Sequence, residues 1–201
     1  MTLRLNSLLK NEVFMQNETL KVIRNRRSIR QYKAQQISDA EVQAIVEAAI
    51  YAPTAMNLQG WHFSVIQNKT LIEKLRSSMK ENMRQSGVEA QVQSANDPAF
   101  NPFYNAPTMI VISAEKGSRF AQIDGGIAAE NIALAATSLN IGSCIMTSSA
   151  MAYAGENAAA LKQEAGFPQG YEHVCTIALG YIDGEIPIAP TRKSGSVNYV
   201  K

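Results

Sequence analysis

Apolar residues fall at helical spacing in some stretches of this chain and in short runs in others, and the two patterns are interspersed. Residues 18–26 read as a helix with Leu20, Val22 and Ile23 on its buried side. Ser38-Asp39-Ala40-Glu41 is a capping box, and the helix after it places Val42, Ile45, Val46, Ala49 and Ile50 on one side. Pro53 marks its end. Residues 61–66 read as a strand. Asn68 caps a third helix with an apolar side of Leu71, Ile72, Leu75, Met79 and Met83. Residues 87–105 are polar, with Pro98 and Pro102, and read as a site-covering loop or a short helix. Met109-Ile110-Val111-Ile112 is the centre of a buried strand. Residues 123–139 are nearly all small or apolar, with Asp124, Glu130 and Asn131 as exceptions; a helix of this kind is buried on several sides, which suggests a dimer interface. Residues 142–146 form a short strand or turn, 156–165 a helix ended by Gly166 and Pro168, and 173–181 a central strand. Beyond Asp183-Gly184 the chain holds Pro187 and Pro190 and reads as extended, not packed on its own domain.

The order of elements has no regular βαβ rhythm and no internal repeat. It favours an α+β or mixed three-layer architecture over a doubly wound sheet. Residues before about Met15 show no periodicity. Residues 1–16 are therefore read as an extension, either ahead of a start at Met15 or a short swapped arm, and residues 17–201 as a single domain.

Composition narrows the function classes. The chain has 201 residues, 46% of them apolar and 18% charged, with a net charge of +2. That is ample for a core and ordinary for a globular protein. The charge is too small to imply nucleic acid by itself. The two cysteines, Cys144 and Cys175, read as reduced thiols of a cytoplasmic protein. The N-terminus lacks a secretory h-region, and no apolar run reaches the length of a membrane span.

Chemistry is concentrated in two segments. If the chain is extended after the first helix, Arg26, Ser28 and Arg30 share one side, and two guanidinium groups converge with a hydroxyl on one anion-binding spot. The competing reading has Arg24, Arg26 and Arg27 complementing the negative end of the helix. Pro53-Thr54-Ala55-Met56-Asn57 then leads through Gln59 to Trp61. Asn57 and Gln59 either satisfy loop backbone or address the edge of a heterocycle, while Trp61 reads as a core residue. Arg192 and Lys193 in the tail are a solvated pair or reach an anion site. No Gly-x-Gly-x-x-Gly, phosphate loop or nucleophile elbow is present. His62 and His173 lack metal-ligand spacing and read as structural. An enzyme built from these parts draws its chemistry from an organic cofactor.

These blocks resemble the nitroreductase family. Arg26-Arg27-Ser28-Ile29-Arg30-Gln31-Tyr32 is similar to its opening signature and Pro53–Phe63 to its second block. Ala128–Ala136, running on to Asn140–Cys144, is similar to its central helix and turn. Ile177–Tyr181 and the Arg192-Lys193 tail are similar to its last strand and arm. The resemblance implies an α+β three-layer fold, with a central, mostly antiparallel mixed sheet flanked by helices and a C-terminal arm reaching the partner subunit. It implies a cytoplasmic homodimer with FMN at the interface, reduced by NADH or NADPH. Arg26, Arg27, Ser28 and Arg30 would hold FMN from one subunit, with Arg30 near the pyrimidine end. Pro53, Thr54, Ala55 and Asn57 would come from the partner. Met146 and Thr147 would lie against the ring, and Arg192 would reach the phosphate, with Lys193 beside it. No protein nucleophile or metal is implied. The expected reaction is ping-pong hydride transfer from NAD(P)H to a small acceptor such as a nitroaromatic or a quinone. Enals, halogenated aromatics and flavin itself are other acceptors in the family, and a non-catalytic flavin-binding module is the alternative class. The chain departs from the pattern at Met56, Gly60, Asn140 and Ile145.

Overall fold

The computed structural model describes residues 17–201, so the expectation for the 1–16 extension lies outside the described residues. Helix α1, Glu18–Asn25, is capped by Asn17, whose side chain accepts from the Leu20 N–H at 2.9 Å. Helix α2, Asp39–Ile50, carries the expected capping box: the Ser38 N–H donates to Glu41 at 2.8 Å, and the Glu41 N–H donates to the Ser38 hydroxyl at 3.3 Å. Strand β1 is Trp61–Ile66. Helix α3, Lys69–Gln85, starts at the Asn68 cap, and α4, Glu89–Asn96, resolves the polar stretch into a short helix. Then follow β2 (Thr108–Glu115), α5 (Ala121–Ser138), β3 (Ile141–Met146), α6 (Ala158–Glu164) and β4 (Tyr171–Tyr181).

The sheet order is β1-β2-β4-β3, and every named pair is antiparallel. The mixed character expected of the sheet survives among the described residues only as an isolated parallel bridge between Ser28 and Ser143. Side-chain alternation along β2 builds the layers. Met109 and Val111 enter one core with Leu71, Leu75, Met79 and Met83 of α3. Ile110 and Ile112 enter the other, with Ile45 and Ala49 of α2 and Ile132 of α5. The result is the α+β arrangement of helices on both faces of one sheet.

Two helices bury less than their sequence pattern suggests. On α1, Leu20 and Val22 are half-buried and Ile23 is exposed; on α2, Ile50 is exposed. Helix α5 buries one side, from Gly125 through Ala129 and Ile132 to Ala136, and leaves Ile123 65% exposed on the other. These apolar side chains lie beyond the reach of the chain's own layers, which stop at one sheet and its two helical covers.

Strand β4 holds an irregularity that matters later. Ile112 pairs with Cys175 and Ser113 with His173, so Val174 is an extra residue. A bulge of this kind shifts the side-chain alternation. His173 and Thr176 consequently meet, with their side chains 3.0 Å apart.

Candidate functional site

The basic segment is seated on the sheet by two glycines. Gly142 of β3 and Gly180 of β4 are register partners. A Cβ at Gly142 would lie 2.9 Å from Ile29 Cγ2, and one at Gly180 would lie 3.0 Å from Tyr32 Cδ1. The bare backbone leaves a depression that residues 29–32 fill. Ile29 donates its N–H to Ser143 at 2.8 Å, Lys33 donates to Tyr181 at 2.9 Å, and the Tyr32 hydroxyl donates to the Ile29 carbonyl at 2.6 Å. Burial of that hydroxyl pushes its pKa up, so it remains a donor.

Because Ile29 points into the core, its neighbours on the extended chain face outward. Ile29 is buried while Arg30 is exposed and Ser28 half-buried. Arg26 ion-pairs with Glu130 of α5 at 3.2 Å. Arg27 donates to the carbonyls of Arg24 and Arg26, both at 2.7 Å, and to Pro187 at 3.1 Å. It thus closes the end of α1 and ties the start of the tail. Arg30 has no carboxylate in ion-pair range among the described residues. Its guanidinium lies 5.7 Å from the centroid of the Tyr104 ring. The Tyr104 side chain, then Cys144, holds its pKa above the ordinary arginine value. Burial raises the Cys144 thiol, against the pull of Arg30 and Arg26.

The second segment forms a separate cluster. Residues Ala55–Asn57 make one 3-10 turn, with Met56 and Asn57 both at positive φ, 52° and 54°. The Ala55 N–H donates to both carboxylate oxygens of Asp124 of α5, at 3.2 and 3.3 Å. Thr54 accepts the Gln59 N–H at 2.9 Å, and the Gln59 amide donates to Asn57 at 3.0 Å. Within one chain, then, Gln59 and Asn57 satisfy each other and the loop. Pro53 and Met56 are exposed. Trp61 packs on Phe63 with ring centroids 4.9 Å apart and joins the α2–α5 core.

Met146 is buried at the end of β3, and Thr147 is exposed at the start of the following turn. A polar chain reaches them from β4. The Ser149 hydroxyl donates to the Met146 carbonyl at 2.7 Å and meets His173 Nε2 at 3.0 Å. Since Ser149 spends its hydrogen on the carbonyl, His173 must donate to it, which fixes the Nε2–H tautomer. Burial, then the Lys162 charge, lowers the His173 pKa to about 4. The ring is neutral and structural. Arg192 and Lys193 are exposed, and no hydrogen bond or ion pair among the described residues joins their side chains to residues 26–30.

Sequence reasoning passed over Tyr104, Ser149 and His173 as parts of this region, and over the contacts made by Asp124 and Glu130. The only signal for the last two was a carboxylate standing in an otherwise apolar helix.

The nitroreductase family model covers residues 23–181. The chain belongs to the nitroreductase family, and so to the oxidoreductase enzymes. A Bacteroides fragilis nitroreductase with bound FMN superposes with a TM-score of 0.88 at 32% identity, over 92% of this chain and 100% of that one. A Desulfitobacterium hafniense nitroreductase with bound FMN gives 0.83 at 35%, over 93% and 100%. An Archaeoglobus fulgidus protein bearing an NADH dehydrogenase/NAD(P)H nitroreductase name is 31% identical over 82% of this chain and 85% of its own. Among the described residues no helix is long and apolar enough to cross a membrane.

Proposed function

We propose that this protein is a cytoplasmic homodimeric oxidoreductase that uses NADH or NADPH, through bound FMN, to reduce a small organic acceptor such as a nitroaromatic or quinone. The observation that carries the reading is Arg30: an exposed guanidinium near Cys144 of β3, beside an aromatic ring and free of any carboxylate among the described residues. An unspent fixed cation suits an anionic ligand.

Bound FMN supplies the hydride chemistry; the residues supply binding and electrostatics. Arg30 would hold the pyrimidine edge of the cofactor and place a fixed positive charge there. Ser28 and Arg26 line the same edge, with Glu130 orienting Arg26, and Arg27 couples the segment to the tail. Met146 and Thr147 form the wall behind the ring. Pro53, Thr54, Ala55 and Asn57 close the site from the partner subunit. Arg192 and Lys193, on the partner's tail, would hold the phosphate.

Two features support the dimer. Arg26 anchors to α5 at Glu130 and Ala55 anchors to it at Asp124, so each copy of α5 would carry the basic half of one site and the loop half of the other. Ile123, Ile127 and Met56 are exposed beside the second anchor, as expected of a surface covered by a second copy.

The test is the visible absorbance spectrum of the purified protein, before and after anaerobic NADH and then NADPH. A flavin spectrum that bleaches with one of them supports the reading and names the donor. Protein that is colourless and takes up no added FMN overturns it.

A further inference from the structure

We infer that Tyr104 is a positioning residue that holds the Arg30 guanidinium in place by its neutral aromatic side chain, leaving the charge of Arg30 available to the bound flavin. The inference rests on the placement of Arg30 at the flavin proposed above.

The argument starts from backbone. Tyr104 and Asn105 are consecutive non-glycine residues in the left-handed region, with φ of 56° and 57°. Asparagine tolerates this region; tyrosine gains nothing from it locally. Such a conformation costs on the order of 1–3 kcal/mol and persists only where the surroundings over-determine it.

The surroundings here do so. The Asn101 side chain accepts the Phe103 N–H at 2.9 Å and donates to the Asn105 side chain at 2.6 Å. The Asn101 carbonyl accepts the Tyr104 N–H at 3.0 Å, and the Phe103 carbonyl accepts the Ala106 N–H at 3.0 Å. Phe103, 2% exposed, anchors the turn in the core. A turn held by these bonds and by Phe103 thus carries Tyr104 in the left-handed region, and its ring lies at Arg30. Both side chains border a cavity of about 560 Å³ that Phe100, Asn101 and Asn105 also line.

The choice of partner is chemically informative. A carboxylate would hold the guanidinium at least as firmly and would cancel its charge. An aromatic face holds a cation through its quadrupole, worth about 0.5–2 kcal/mol, and leaves the net charge intact. Asp183 lines the same cavity without ion-pairing to Arg30.

The test is a double-mutant cycle on the FMN-loaded protein, reading the two-electron midpoint potential and the FMN dissociation constant. Arg30→Ala is expected to lower the potential. Tyr104→Leu is expected to lower the equilibrium constant for reduction threefold to tenfold, tenfold being about 30 mV for a two-electron couple. In the Arg30→Ala background the same change is expected to shift it less than twofold, because Tyr104 acts through Arg30. If Tyr104→Leu does not fold, Tyr104→Asn, which removes the ring and tolerates the left-handed backbone, carries the same cycle. Equal shifts in both backgrounds, or no shift from Tyr104 where Arg30→Ala has one, overturn the inference alone. An Arg30→Ala protein with unchanged potential and FMN affinity overturns both the inference and the placement of Arg30.

Discussion

Gly142→Ala is a one-carbon test of how the basic segment is held. The added methyl would sit 2.9 Å from Ile29 Cγ2, 3.0 Å from Ile29 Cβ and 3.1 Å from Ile182 Cγ1. A new Ile29 rotamer can move Cγ2, but Cβ is fixed to the backbone, so the chain at residue 29 must retreat from β3. Overpacking of this kind costs about 1–3 kcal/mol. Retreat also stretches the 2.8 Å bond from the Ile29 N–H to Ser143, for about 0.5–1.5 kcal/mol more. The sum is about 2–4 kcal/mol. At about 2–4 °C per kcal/mol for a chain of this size, melting falls by about 4–16 °C. Ser28 and Arg30 flank Ile29, so FMN retention falls with it. Differential scanning calorimetry and the flavin absorbance of dialysed protein measure the two effects. Trimming the opposing side chain as well, with Ile29→Ala, should give a double variant less destabilised than the sum of the single changes. A Gly142→Ala protein that melts with the wild type and keeps its flavin would refute the argument.

Three further outcomes are expected. His173 titrates at about 4 when folded against an ordinary 6.5, so the unfolded chain binds the extra proton first. Stability is full above about pH 6.5 and falls as pH drops towards 4, by about 3 kcal/mol at about 1.4 kcal/mol per unit. Urea titrations of the wild type and His173→Gln across that window should show a flatter dependence in the variant; equal slopes would count against the assignment. Asp124→Ala leaves the Ala55 N–H without its acceptor and should cost about 1.5–3 kcal/mol, with faster proteolytic nicking at residues 53–59. Unchanged cleavage there would mean the carboxylate does not hold the loop. Removing the chain from Ile186 onward deletes the Pro187 carbonyl that Arg27 uses, and should loosen the proposed dimer or the FMN in sedimentation and dialysis. A fully loaded, stable truncated dimer would show that the tail contributes to neither.

The local patterns were legible because their causes are local. The Ser38–Glu41 capping box, the Asn68 cap and the α3 stripe of Leu71, Leu75, Met79 and Met83 each follow from residues three or four apart. Strand β1 coincides with the stretch read from its apolar run. Asn140, one of the positions read as departing from the family pattern, takes φ 58° just past α5, a left-handed position that asparagine tolerates. Exposure was less legible. Ile23, Ile50 and Ile123 sit at correctly periodic positions, yet their own chain leaves them open, because periodicity marks an apolar side without saying which surface covers it.

The sequence by itself determined the order of the elements and the type of most of them, the α2 and α3 caps, the apolar stripes and the family blocks, since each is written within one turn or one strand; it left residues 87–105 and 142–146 open. Tertiary structure alone decided the contacts that build the site. Residues 29–32 need the glycine pair that β3–β4 register creates. His173 reaches Thr176 and Ser149 through a bulge at Val174. Tyr104 reaches Arg30 by two left-handed residues. Apart from the His173–Thr176 contact, these join positions distant along the chain, and a shift of one residue in strand register would turn the strand side chains concerned to the opposite face.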